Sequence, residues 1–413
     1  MCNDYKSIDM IVNIIIKLFL AVAVQMALCG CWQDILLAPS ESEAAEAVTF
    51  GTYLGRSAET RAAAIDNNNM GSGGFGVNAW YSGIIPFDEF VVGNPEPNFM
   101  NNTRVYDEGA GWTYSPLKYW PDNPGDKVSF VAYAPYNMVT DAEGNVVRNE
   151  NITVDGTTVA YTVPNEVKEQ VDLLWSDSGE SDAHNTVDME KQAVDEVVTF
   201  YFKHALAKIT FSVEAAVDEV EAGNIVLDEN TEIFVRKVAL MAADDTYSET
   251  DGWLTAGGPF YTGGILDLVS GLWSDKTPGQ RFLFTSAHFV DETALILDNT
   301  NSSEPQTLLN PESCLMIIPN NGDGGTEFKV YMEYDVVTTD PDATEDYNDS
   351  STITNRITSD VALSIDFMSG KAYNLNLILG MTSSGFDVVV NDWVDEENGN
   401  PAVSVDEDLP ANE

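Results

Sequence analysis

Phe328 to Val336 reads FKVYMEYDV. Phe328, Val330, Met332, Tyr334 and Val336 fall on one parity, and Lys329, Tyr331, Glu333 and Asp335 on the other. Successive side chains of an extended strand point to opposite faces of a sheet, so strict alternation marks a half-buried strand. A helix would instead repeat its apolar residues three and four apart. The pattern recurs outward from this stretch. In VALSIDF (361–367), Val361, Leu363, Ile365 and Phe367 alternate with Ala362, Ser364 and Asp366. In KAYNLNLIL (371–379), Tyr373, Leu375, Leu377 and Leu379 alternate with Asn374, Asn376 and Ile378. Pro-Gly, Asn-Gly and Asp-Gly pairs separate the runs, as turns require. Helical periodicity is scarce: VPNEVKEQVDLLW (163–175) has room for a turn or two. The sequence predicts an all-β fold of antiparallel sandwiches, and 413 residues suffice for two.

Upstream, VVTFYFKHALAKITFSV (197–213) changes phase. Phe200 and Phe202 share one parity; Ile209, Phe211 and Val213 hold the other. A slip of one residue near Ala205–Lys208 predicts a β-bulge in a continuous strand. A boundary between sandwiches is expected near residue 215, where VEAAVDEVEAGN turns acidic. The expected organisation is a signal peptide (1–30), a spacer with a first strand (31–61), an N-terminal sandwich (62–215) and a C-terminal sandwich with an acidic tail (216–413).

Composition narrows the function classes. Hydrophobic residues at 44% and aromatics at 10% provide for ordinary cores, which excludes global disorder. The net charge of −48 repels phosphate backbones and anionic lipid, so nucleic acid is not an expected partner.

The amino terminus points to export. Ile11–Ala27 is mostly apolar but is broken by Asn13, Lys17 and Gln25. From Met10, an alternative start, a short basic region ends at Lys17, apolar residues run from Leu18 to Ala27, and small residues follow, as in a secretory signal. Leu28-Cys29-Gly30-Cys31 then resembles a bacterial lipobox. Cys31 would be the lipidated residue after cleavage, with Cys29 leaving on the signal. An uncleaved anchor helix and a metal or redox pair are the competing readings; no His or second Cys pair lies close by for the latter. Of the four cysteines, Cys314 is expected to be a small core residue.

Motifs for chemistry are lacking, so no enzyme, cofactor or metal is expected. Gly71 to Gly76 matches G-x-G-x-x-G, but no strand-then-helix context surrounds it. His184, His204 and His288 stand apart, and His204 is expected to be an interior or edge histidine. The loop 340–351 begins like a calcium loop, with Asp340 and Asp342. It carries Glu345 at the glycine position and Ser351 where the closing Glu belongs. Arg56 and Arg61 lie in a stretch of small residues, where proteases cut.

Several segments together carry a family likeness. They are the lipobox, an early strand followed by Thr60-Arg61-Ala62, FKHALAKITFSV (202–213), CLMIIPNN (314–321), GKAYNLNLIL (370–379) and FDVVVNDW (386–393). In this order and spacing the chain resembles the fimbrillin-like proteins, the type V pilins of Gram-negative anaerobes. The resemblance implies two transthyretin-like antiparallel β-sandwich domains in tandem. It implies a non-enzymatic lipoprotein, acylated (palmitate included) at Cys31, held at the cell outer membrane and displayed on the surface. Its partners would be other fimbrial subunits, in a homo- or hetero-polymer. An arginine-specific protease would cut after the first strand, and a carboxy-terminal strand of a neighbour would fill the groove. Carried onto this chain, AVTFGTYL (47–54) is the plug, Arg61 the preferred cut site and Arg56 the second. The tail after Trp393 is acidic, with alternation only at Val403 and Val405, and FDVVVNDW would be lost to its own domain if donated. A subunit without a donor fits an accessory or tip adhesin as well as a stalk subunit. The competing function is a monomeric glycan-binding lipoprotein using Trp80, Trp112, Trp120 and Trp253.

Overall fold

The computed structural model describes residues 46–54, 70–140, 146–179, 184–216, 227–249, 257–290, 296–302, 304–339, 352–381 and 384–393. All the elements below belong to one unit, Ala47–Glu413. The first strands are β1 Phe50–Tyr53, β2 Phe75–Gly83, β3 Met100–Val105, β4 Lys127–Ala134, β5 Met138–Thr140 and β6 Val146–Arg148. They are followed by β7 Ile152–Asp155, β8 Thr158–Thr162, β9 Leu174–Ser176 and β10 Val198–His204. Then come β11 Ala207–Ala215, β12 Thr231–Ala242, β13 Gly258–Asp267, β14 Trp273–Gly279, β15 Phe282–Thr285 and β16 Ile296–Leu297. The last are β17 Gln306–Thr307, β18 Leu315–Ile317, β19 Thr326–Thr339, β20 Thr352–Ile365, β21 Lys371–Leu379 and β22 Ser384–Asp392. Among the described residues helix is confined to short pieces such as Phe87–Gly93 and the single turn Val167–Glu169.

The strands form a six-stranded sheet in the order β1-β10-β9-β4-β2-β3 and a four-stranded sheet β14-β13-β8-β7. Two five-stranded sheets have the paths β17-β11-β21-β22, with β18 also on β11, and β15-β12-β19-β20, with β16 on β12. Most pairs are antiparallel, as expected. Two are not: β1 runs parallel to β10 and β11 parallel to β21. Parallel neighbours need a long crossover, and well over a hundred residues separate the members of each pair. Alternation within a strand carries no information about its neighbour's direction.

The alternating stretches fold as read. Phe328, Val330, Met332, Tyr334 and Val336 of β19 are buried, as are Tyr373, Leu375, Leu377 and Leu379 of β21. The phase slip at Ala205–Lys208 is not a bulge. The chain leaves the six-stranded sheet at His204 and enters another sheet at Ala207. A strand changing sheets must re-aim its inward face, which explains the switch of parity. Backbone groups freed at the crossing find partners: Ala205 N donates to Leu173 O (2.8 Å), and Trp273 Nε1 donates to Ala205 O (2.8 Å). Gly370 N donates to Leu206 O (2.9 Å). Such pairing is obligatory for buried main chain.

Two cores result. One gathers Val48, Phe50, Leu54, Phe75, Val77, Phe130, Leu174, Phe200 and their neighbours between residues 48 and 202. The larger runs from Trp80 to Trp393. The six-stranded sheet lies between them at its centre: on β4, Phe130, Ala132 and Ala134 face the first core, and Val131 and Tyr133 the second. The four-stranded sheet mixes strands from either side of residue 215, with β8 bonded directly to β13 from Gly263↔Thr162 to Asp267↔Thr158.

The remaining motifs also find their places. The glycine-rich stretch is a short helix, Met70–Gly73, leading into β2, the reverse of a dinucleotide fold. Gly76 is needed for packing, since a Cβ there would come within 2.2 Å of the Tyr133 ring. His204 is interior, its Nδ1 3.0 Å from Asp172 Oδ1 and its ring stacked on Trp393 at 4.0 Å. Cys314 is buried. The loop 340–351 lies outside the described residues. Among those residues, no group of three His, Cys, Asp or Glu side chains is placed to hold a metal, and no helix is long and apolar enough to cross a membrane.

Candidate functional site

The site is the edge of the six-stranded sheet where β1 lies. Residues 48–54 alternate, and the structure follows the alternation: Val48, Phe50 and Leu54 are buried, while Thr49 and Tyr53 are exposed. Among the described residues β1 pairs only with β10, in the register Phe50↔Val198 to Tyr53↔Tyr201. Four residues make a short ladder, so side chains must do most of the holding. Phe50 packs against Phe200 (ring centroids 5.5 Å apart), Tyr114 (5.2 Å), Phe130 (5.9 Å) and Phe75 (6.5 Å). Burying each of Val48, Phe50 and Leu54 contributes about 1.5–3 kcal/mol before ordering costs.

The segment leading into β1 is clasped from the side. Val48 N donates to Lys118 O at 2.9 Å, and Ala47 bridges Tyr119. Tyr114 Oη donates to Val48 O at 2.8 Å, and burial raises the pKa of this phenol. At the other end Tyr53 packs on Tyr201 at 5.3 Å, and Tyr201 stacks on His184 at 3.7 Å. The arrangement is a slot: an apolar trough under one edge strand, with main-chain partners along one side. Such an edge can give up its strand and pair with another.

The sequence-predicted site residues Leu28, Cys29, Gly30, Cys31, Arg56 and Arg61 lie outside the described residues, as does the tail after Trp393. β22, the FDVVVNDW segment, pairs with β21 through nine positions, from Lys371↔Asp392 to Leu379↔Ser384. It is therefore integral to its own sheet. Trp80 and Trp120 are buried, and Trp112 packs edge-on against Phe75 at 5.0 Å. These three form no exposed aromatic platform, and the glycan-binding alternative is not favoured; Trp253 lies outside the described residues. Sequence reading missed the clasp at 114–119 and the aromatic nest around Phe50. The phase slip at 205–208 was the one local sign that β10 belongs to a different sheet from the strand after it.

A family model described as fimbrillin-like matches residues 60–393. The fimbrium subunit Fim1C of Phocaeicola vulgatus is 24% identical over 411 residues, spanning 93% of this chain and 98% of that protein. A fimbrial protein from Bacteroides vulgatus, known as a crystal structure, superposes with a TM-score of 0.62 at 21% identity. That superposition covers 84% of this chain and 99% of the other, and shows the shared fold.

Proposed function

We propose, because this chain belongs to the fimbrillin-like family, that it is a non-enzymatic surface lipoprotein that serves as a fimbrial subunit or as an accessory or tip adhesin, assembled by strand exchange. The observation that carries this reading is β1: an edge strand with a one-sided, four-residue ladder over a trough made by other strands. A cut at Arg61, or secondarily at Arg56, would sever that strand from the chain after it. Loss of residues 47–54 would expose the unpaired edge of β10 and the trough beneath Phe50. An extended segment from a neighbouring fimbrial subunit restores both ladder and burial. The two cores support a reading as two transthyretin-like sandwiches that share a sheet. Acylation at Cys31, after the lipobox Leu28-Cys29-Gly30, would tether the chain to the outer membrane; several buried acyl chains hold a protein firmly.

Treating the purified protein with an arginine-specific protease and running it on a denaturing gel without heating tests the assembly step. Ladders are expected, and the double substitution Arg56→Ala with Arg61→Ala should abolish them. Clean cutting that leaves only monomer overturns the exchange mechanism. Mass spectrometry of the mature amino terminus tests the tether, with acylated Cys31 as the expected first residue.

A further inference from the structure

The slot continues beyond β1. Where Tyr53 and Leu54 end it, it opens into a cleft of about 900 Å³ that also includes Trp175, Tyr201, Leu272, Met368 and Trp393. Exposed apolar side chains normally scatter over a surface. Here Tyr53, Leu272 and Met368, at 46%, 62% and 38% exposure, converge on one opening.

The rim is held in place. Asp267 Oδ1 accepts from Val269 N (3.1 Å), Ser270 N (2.7 Å) and Ser270 Oγ (2.8 Å), which locks the turn that presents Leu272. Gly271 in that turn has φ +70°, and a Cβ there would come within 2.1 Å of the Trp175 ring. Met368 N donates to Tyr373 Oη at 2.9 Å. A rim ordered beforehand loses little entropy when something binds.

After Leu54 the sequence is Gly55-Arg56-Ser57, without an apolar side chain. We propose that the cleft is the terminal anchoring site for the strand donated by a neighbouring subunit. That strand follows the path of β1, keeps apolar residues at alternate positions, and places one more apolar side chain two residues past the Leu54 position. The inference rests on the strand-exchange reading and adds a direction to it: a donor with this extra residue buries apolar surface that the resident strand cannot.

The test uses the full chain, cut by an arginine-specific protease, and three dye-labelled peptides followed by fluorescence anisotropy. They are residues 47–54, residues 47–57, and residues 47–57 with Arg56→Leu. The leucine peptide should bind about tenfold tighter than the native 47–57 peptide. The protein's acidic surface favours arginine, so the gain is measured against the electrostatic bias. Leu272→Asp should bring these two peptides within about twofold of each other. If the 47–54 peptide does not bind, strand exchange fails and this inference falls with it. If it binds and the leucine extension adds nothing, only the cleft assignment fails. If removing residues 394–413, rather than adding leucine, sets the affinity, the cleft belongs to the chain's own carboxy terminus and the assignment is overturned.

Discussion

Phe50 is one side chain from a modestly apolar octapeptide, yet four aromatic rings surround it. Its truncation removes transfer energy and leaves a void between side chains that belong to other strands. Phe50→Ala should cost about 3–5 kcal/mol in urea unfolding of the uncut chain; a loss under about 1 kcal/mol would mean that β1 adds little to the sheet. Asp335 shows where parity misleads. Alternation assigns it to the solvent face of β19, yet it is only 2% exposed. Arg356 Nε donates to its Oδ1 at 2.7 Å and Arg236 Nε to its Oδ2 at 2.8 Å, from strands on either side. The Arg356 bond first, and then Arg236, hold this carboxyl below the usual carboxylate range. A depressed folded-state pKa stabilises above the unfolded value, near ~4, and the contribution is lost as pH falls through the folded value. Asp335→Asn should therefore cost about 1–3 kcal/mol at pH 7. The gap from the parent chain should close on acidification below about pH 4, and a gap of equal size at pH 3 would refute the charge-based account. Nothing within β19 announces this burial, because Arg236 and Arg356 come from the flanking strands β12 and β20 and cover the carboxyl with their own length.

At the scale of elements, β1 and β10 were both legible as strands, and their pairing was not. The parallel register Phe50↔Val198 joins residues far apart in the chain, and the composition of neither strand encodes it. The bulge expected at 205–208 was a misreading of the same kind: a change of parity records that the inward face moved, without saying whether the strand bent or changed sheets. Among the described residues β1 has one neighbour and four ladder positions, whereas β4 lies inside the sheet between β9 and β2. Local opening should follow that difference. In native-state hydrogen exchange, amides of residues 50–53 should lose protection at least about tenfold sooner than those of 128–134. Equal protection would indicate that β1 opens only with the whole fold, and strand release after a single cut would then be slow.

For the whole molecule, the direct pairing of β8 with β13 matters most. β8 and β13 both line the larger core, which therefore draws on both sides of residue 215, and the six-stranded sheet joins that core to the first; a single cooperative unfolding unit is the expected consequence. Tryptophan fluorescence and far-ultraviolet circular dichroism should trace coincident urea transitions; two separated transitions would show that the halves unfold independently. By itself the sequence determined the β class, the buried face of its clearest strands, the acidic exterior, and β1 as an alternating segment. Those properties depend on residues within a few positions of one another, where the period-two geometry of an extended chain is written directly. Only the tertiary structure decided which strands are neighbours, that the chain changes sheets at Ala205, and that an apolar cleft lies past the end of β1. Each of these is a meeting of residues brought together from across the chain, and local periodicity carries no trace of such meetings.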